Sequence, residues 1–194
     1  MLLNCDLGES YGSWAMGQDA DVMPHIDQAS IACGFHAGDP LTMQRTLALA
    51  AEHAVTIGAH PAYPDIVGFG RRSMALSRDE IIANLQYQVA ALDGMARSQG
   101  LTLNYIKPHG ALYHDMMTDH AVRSALFEAV TRYGNRKQPL TLVLQATANV
   151  DEHRAEALAA GIPVLFEVFA DRCYADDGSL VPRSQPEAVL DRKR

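Results

Sequence analysis

The chain has 194 residues, 48% of them hydrophobic and 20% charged, an ordinary balance for a folded globular protein that excludes disordered and collagen-like classes. A net charge of −7, with no run of Lys and Arg before the final DRKR, argues against nucleic acid or an anionic membrane surface as partner. No stretch approaches the roughly 18 apolar residues of a membrane span, and Cys5, Cys33 and Cys173 form no CxxC pair, so reduced thiols and a cytoplasmic setting are expected.

The chain opens with MLLNCD, an apolar stub carrying Leu2 and Leu3 that reads as a strand. ASIAC at 29–33 is the second strand; Asp39 then suits a helix N-cap and Pro40 its first residue, and that helix runs to about His53. A third strand, AVTIGAH at 54–60, leads into an irregular loop, PAYPDIVGFGRR, rich in Pro and Gly. Ser77 and Glu80 make a capping box for the next helix, whose Ile81, Leu85, Val89, Leu92 and Ala96 fall on one face and which Gly100 ends. LNYIKPHG at 103–110 is the fourth strand, and one helix with Val122, Leu126 and Val130 four residues apart follows. LTLVLQ at 140–145 is apolar enough to be covered on both faces, as parallel strands are. A helix ending at Gly161 and a sixth strand, PVLFEVFADR, complete the pattern.

Six βα-like units without an internal repeat or a linker point to one domain over residues 1–194. Its architecture is either an incomplete or irregular (β/α) barrel or a doubly wound open sheet. In both, ligands sit at the carboxyl ends of the strands. Reading each strand to that end gives Asp6 and Glu9, then His36 and Asp39, then His60, then Lys107 and His109, and finally Glu167, Asp171 and Arg172. A lone histidine at a strand end is usually a hydrogen-bonded structural residue, but three in corresponding positions predict one shared site. His25, His53, His120 and His153 lack that placement and read as structural or solvated, with His153 on a helix surface; His114, past the turn after His109, is read the same way.

Asp6 with His36, His60 and His109 offers one carboxylate and three imidazoles, a set compatible with zinc or another divalent ion. Without a metal, the imidazoles would polarise a carbonyl while Asp6 or Glu9 serves as general base. Arg71 and Arg72 in GFGRR could clamp a carboxylate or phosphate, and Arg183 with Ser184 in VPRSQP invites the same reading. Neither GxxxxGK[ST] nor GxGxxG occurs, so no ordinary nucleotide loop is expected. Cys5 and Cys33, with no thiolate-stabilising neighbour in view, read as small buried residues.

NCDLGES, IACGFHAGDP, GAHPAYPD, GFGRR, KPHGALY, EVFADRCY and LVPRSQP, in this order, resemble the LamB/YcsF family of 5-oxoprolinase A subunits from Asn4 to about Val189. The resemblance implies a deviant (β/α) barrel similar to the glycoside hydrolase/polysaccharide deacetylase superfamily. It also implies ATP-dependent opening of the lactam 5-oxoproline (pyroglutamate) to glutamate, carried out with two partner subunits, B and C. On that analogy ATP phosphorylates the amide oxygen and makes it a leaving group, with Mg accompanying ATP or a divalent metal in the site. Asp6 or Glu9 would be the base, and His36, His60, Lys107 and His109 would hold the carbonyl or its phosphorylated form. Arg72 or Arg183 would take the substrate carboxylate, with Glu167, Asp171 and Arg172 as further substrate-binding residues. Family members continue past PRSQP with another βα segment ending in a His-Gly-Asp motif, whereas this sequence stops at Arg194; an exposed barrel edge and self-association are therefore expected. The other readings are a metal-dependent amidohydrolase or sugar deacetylase, and a non-catalytic ligand-binding subunit.

Overall fold

The computed structural model describes residues 1–133, 139–176, 178–181, 183 and 185–190. Six strands, β1 (Asn4–Leu7), β2 (Gln28–Ala32), β3 (Thr56–His60), β4 (Leu103–Ile106), β5 (Thr141–Gln145) and β6 (Val164–Glu167), form one sheet. All neighbours are parallel and the spatial order is the sequence order. A doubly wound sheet reverses its strand order at a switch point; this one does not, so that alternative is excluded and the sheet curls into a half-barrel. β1 and β6 are its edges, each with a single strand neighbour among the described residues.

The helices are α1 (Asp19–Val22), α2 (Pro40–Glu52), α3 (Arg78–Ser98), α4 (Gly110–Thr118), α5 (His120–Tyr133) and α6 (Val150–Ala159), with a 3-10 turn at Met23–His25. Asp39 caps α2 by accepting from the backbone N–H groups of Leu41 and Thr42. The Ser77–Glu80 capping box opens α3. Ile81, Leu85, Val89, Leu92 and Ala96 of α3 are all buried, and the helix packs on α5, which buries Leu126 and Val130. Each such large apolar side chain contributes about 1.5–3 kcal/mol when withdrawn from water.

Several elements differ from the sequence expectation. The helix expected after the fourth strand is two, because Asp119 takes an extended conformation and its Oδ1 accepts from the N–H groups of Ala121 and Val122. An aspartate that caps a new helix ends the old one. α1 and the 3-10 turn lie where no element is expected, anchored by the fully buried Met23. The first, third, fourth and sixth strands are displaced or shorter than read: 1–3, 54–55, 107–110, and 163 with 168–172 lie outside them, and Leu2 and Leu3 are exposed. The residues just past the strand ends are therefore loop residues free to face one another.

Candidate active site

The carboxyl ends of β1, β3 and β4 and the loops after β1, β2 and β6 place the strand-end polar residues together. At the centre is Lys107, just past β4 and only 5% exposed. An ammonium has three N–H donors, and Lys107 uses all three: on Asp6 Oδ1 at 3.0 Å, Glu167 Oε2 at 3.0 Å and Asn4 Oδ1 at 3.2 Å. Burial alone would depress its pKa; the Asp6 and Glu167 carboxylates outweigh burial and hold it above the usual lysine value. Burial likewise raises Asp6, but His60 and Lys107 overcome it and keep that carboxyl well below the ordinary range.

Above Lys107 lie the imidazoles. His60 Nδ1 is 2.6 Å from the Lys107 carbonyl and His109 Nε2 is 2.9 Å from the Phe69 carbonyl. Carbonyl oxygens only accept, so both of these nitrogens carry hydrogens. The two remaining nitrogens, His60 Nε2 and His109 Nδ1, face each other at 2.9 Å. Two neutral rings would set lone pair against lone pair there, so the pair holds a third proton. His60 Nε2 is also 3.4 Å from Asp6 Oδ2, and although burial depresses it, the Asp6 charge raises its pKa. Burial and the His60 charge push His109 down to about 2. His60 is thus the imidazolium and His109 the neutral ring.

His36 stacks on His109 with ring centroids 3.7 Å apart, and its Nε2 is 3.1 Å from Glu9 Oε1. It is 1% exposed and does not line the cavity, so it backs Glu9 rather than holding a carbonyl. Burial and the His60 charge push it down to about 2. Burial raises the Glu9 carboxyl, against the attraction of His60 and His109. Phe69, whose carbonyl seats His109, has φ +54°, a left-handed value uncommon for a non-glycine residue. Gly70 and Gly110 allow the close approach that brings this loop to His109: a Cβ on Gly70 would lie 2.9 Å from His109 Cδ2, and one on Gly110 would lie 2.5 Å from the Gly70 carbonyl oxygen.

Of these groups, Asp6, Glu9, His60, Lys107, His109 and Gly110 line one wall of a cavity of about 750 Å³. The sequence reading passed over Asn4, which lies beneath Lys107, and Tyr113, Gln145 and Phe169, which line the other walls. His114 and His153 also line it, contrary to their reading as solvated or structural, and His153 is buried rather than on a helix surface. Arg72 is a further correction. It pairs with Asp65, which also accepts from the Gly68 N–H, and so closes the loop; its neighbour Arg71 faces the cavity instead. Both arginines stand in GFGRR, and no sequence signal says which one turns inward. Glu167 holds Lys107, and Asp171 is exposed outside the cavity, so neither is placed for a ligand, whereas Arg172 and Arg183 do line it. Ser184 lies outside the described residues. Cys33 is buried and its thiol is pushed up to about 12 by burial, and burial also raises half-buried Cys5, so neither is an activated nucleophile.

The donor set for a cation differs by one residue from the sequence expectation. Glu9, His36, His60 and His109 offer ligand atoms within 4.8 Å of one another, with Glu9 in place of Asp6. His60 Nε2 and His109 Nδ1 fit a metal well, since the far nitrogen of each is fixed by a backbone carbonyl, the usual support of a ligating imidazole. His36 fits less well, because its buried Nδ1 has no partner among the described residues.

A half-barrel of parallel strands with carboxylates, imidazoles and a buried lysine at the strand ends is an α/β protein of the barrel class, with its polar cluster at the carboxyl mouth. The LamB/YcsF family model matches residues 1–194, and the chain belongs to that family. It is 57% identical over 191 residues to the second 5-oxoprolinase A subunit of Pseudomonas putida, covering 97% of this chain and 72% of that protein. It is 52% identical over 188 residues to the 5-oxoprolinase A subunit of Vibrio cholerae, covering 97% and 74%. Among solved structures, the lactam utilization protein from Thermus thermophilus superposes with a TM-score of 0.88 at 42% identity, over 98% of this chain and 74% of that one. No helix among the described residues is long and apolar enough to cross a membrane.

Proposed function

We propose that this chain is the lactam-opening subunit of an ATP-dependent 5-oxoprolinase, acting in the cytoplasm with two partner subunits. The observation that carries the reading is the Asp6–Lys107–His60–His109–Glu9 constellation at the mouth of a chain 57% identical to a 5-oxoprolinase A subunit. The five-membered lactam is a stabilised amide, and the amide oxygen attacking the γ-phosphorus of ATP gives an O-phosphoryl imidate and ADP, with the ring N–H lost as a proton. Water, deprotonated by Glu9, then adds to the ring carbon. The ring nitrogen takes up the proton held by Glu9; the ring C–N bond then breaks as that nitrogen takes up a second proton and the new hydroxyl loses one, leaving an acyl phosphate of glutamate. A second water adds to that acyl carbon and the C–O bond to phosphate breaks, releasing glutamate and phosphate.

Glu9 suits the base role better than Asp6. Its carboxyl is raised by burial, whereas Asp6 is fixed as a carboxylate by Lys107 and His60. The His60 imidazolium supplies positive charge for the oxyanion that develops when water adds. Lys107, with every N–H occupied, positions Asp6 and through it His60.

One arrangement favours a second reading. The carbonyl-supported His60 and His109 with Glu9 would hold a divalent cation, which would supply a Lewis acid for a carbonyl, as in a metal-dependent amidohydrolase or sugar deacetylase. The test of the first reading is glutamate release from 5-oxoproline and ATP by this chain mixed with the B and C subunits, each component omitted in turn. Release that requires all three supports it; release undiminished when this chain is omitted overturns it.

A further inference from the structure

In an acidic chain of net charge −7 the mouth of the cavity is cationic. Arg71, Lys107, Arg172 and Arg183 line it against Asp6 and Glu9. Lys107 is matched on the floor by Asp6 and Glu167, and the His60 imidazolium by Asp6 and Glu9. The three arginines are not ion-paired: among the described residues none of them has a carboxylate within ion-pair distance, and Glu9 attracts Arg71 and Asp171 attracts Arg172 only from farther off. Arg71 lies over the Phe69 ring, its Cζ 5.0 Å from the centroid. Arg172 is oriented by two neutral acceptors, Nε on the Ala188 carbonyl at 3.0 Å and Nη2 on the Val181 carbonyl at 2.7 Å. These carbonyls fix its plane without neutralising its charge. Burial depresses Arg71 and Arg172, and Arg183 depresses both further, so the three charges feel one another across the mouth.

We propose that Arg71, Arg172 and Arg183 form a binding site for a phosphoryl group, a doubly charged oxyanion held at the mouth above the carboxylate–imidazole floor. Three neighbouring guanidiniums repel one another, and an anion of charge near two relieves that repulsion better than a single carboxylate does. The planar fork of each guanidinium matches tetrahedral phosphoryl oxygens bidentately. In its choice of ligand the inference rests on the lactam-opening reading, in which the imidate and the acyl phosphate both carry such a group while water attacks the neighbouring carbon. A mouth that holds the phosphoryl through both additions keeps the reacting carbon over Glu9.

The experiment is calorimetric titration of the purified chain with inorganic phosphate at pH 8, where the dianion dominates, and in parallel with acetate. Phosphate is expected to bind saturably, and at least about tenfold more tightly than acetate. Arg71→Ala and Arg183→Ala should each weaken phosphate binding about tenfold or more, while Arg45→Ala, an exposed arginine on α2, should not. Arg183 is exposed, so its substitution leaves the fold intact, and circular dichroism checks Arg71→Ala. Acetate binding as tightly as phosphate, or phosphate binding unchanged in both variants, overturns the proposal. A reconstituted complex that opens no lactam, beside phosphate binding that the arginine variants abolish, would sink the lactam reading and keep the anion site; the converse pair of results would do the reverse.

Discussion

His60 and His109 meet through ring nitrogens 2.9 Å apart while the far nitrogen of each donates to a backbone carbonyl, so one extra proton is trapped between them. That geometry makes the site a proton store as well as a ligand set, and it sets the pH behaviour of the fold.

His60 has a native pKa raised above its unfolded value of 6.5. Its stabilisation is complete below pH 6.5 and is lost as pH rises through the raised native value. His36 and His109 behave oppositely: their native values are lowered to about 2, so the unfolded chain takes up protons that the native one refuses, and stability falls as pH drops from 6.5 toward 2. A His60→Gln protein should lose about 3 kcal/mol at pH 6, the scale for breaking a buried charged pair, and less at pH 9. Thermal unfolding of both proteins at the two pH values reads this; an equal loss at both would show that His60 is neutral in the native state.

A divalent ion placed between the two rings would replace their shared proton. Zinc titrated into the protein at pH 7 is expected to bind with one equivalent and release about one proton. Calorimetry in two buffers of different ionisation enthalpy measures that proton directly. Zinc uptake without proton release would mean that the space between the rings holds none.

Glu9 and Asp6 are expected to separate by phenotype. In the reconstituted complex Glu9→Gln should lower kcat by about 10²–10⁴ while unfolding close to the wild-type temperature. Asp6→Asn should lower activity and also stability, since it strips a carboxylate from Lys107 and His60. Unimpaired glutamate release by Glu9→Gln would remove its assignment as base.

The loop glycines are a purely steric prediction. Gly110 has φ +55°, and a Cβ there would lie 2.5 Å from the Gly70 carbonyl oxygen. Gly110→Ala should destabilise the protein by about 2 kcal/mol and unseat His109, which shows as lost zinc binding at temperatures where the fold persists. Arg72→Ala, by contrast, should leave ligand binding intact, because Arg72 turns to Asp65.

Much of the fold was legible in the sequence because its signals are local. The capping box at Ser77, the Asp39–Pro40 helix start and the apolar face of α3 each depend on residues within a turn or two of one another. The break at Asp119 is local too, yet its sequence also suits an unbroken helix, and only the structure shows Asp119 turning to cap α5.

By itself the sequence determined which residues stand at strand ends, since alternation of short apolar runs with helical periodicity fixes that, and the rule for parallel α/β sheets turns it into a site holding Asp6, Glu9, His36, His60, Lys107 and His109. Only the tertiary structure decided how they are arranged. Whether Asp6 or Glu9 joins the imidazoles, whether Arg71 or Arg72 faces the cavity, and whether His36 reaches it are set by side-chain direction and by distances of a few ångströms between segments as far apart as Asn4 and Lys107. Electrostatic and hydrogen-bonding energies change steeply over those distances, and a linear pattern of residue types does not encode them.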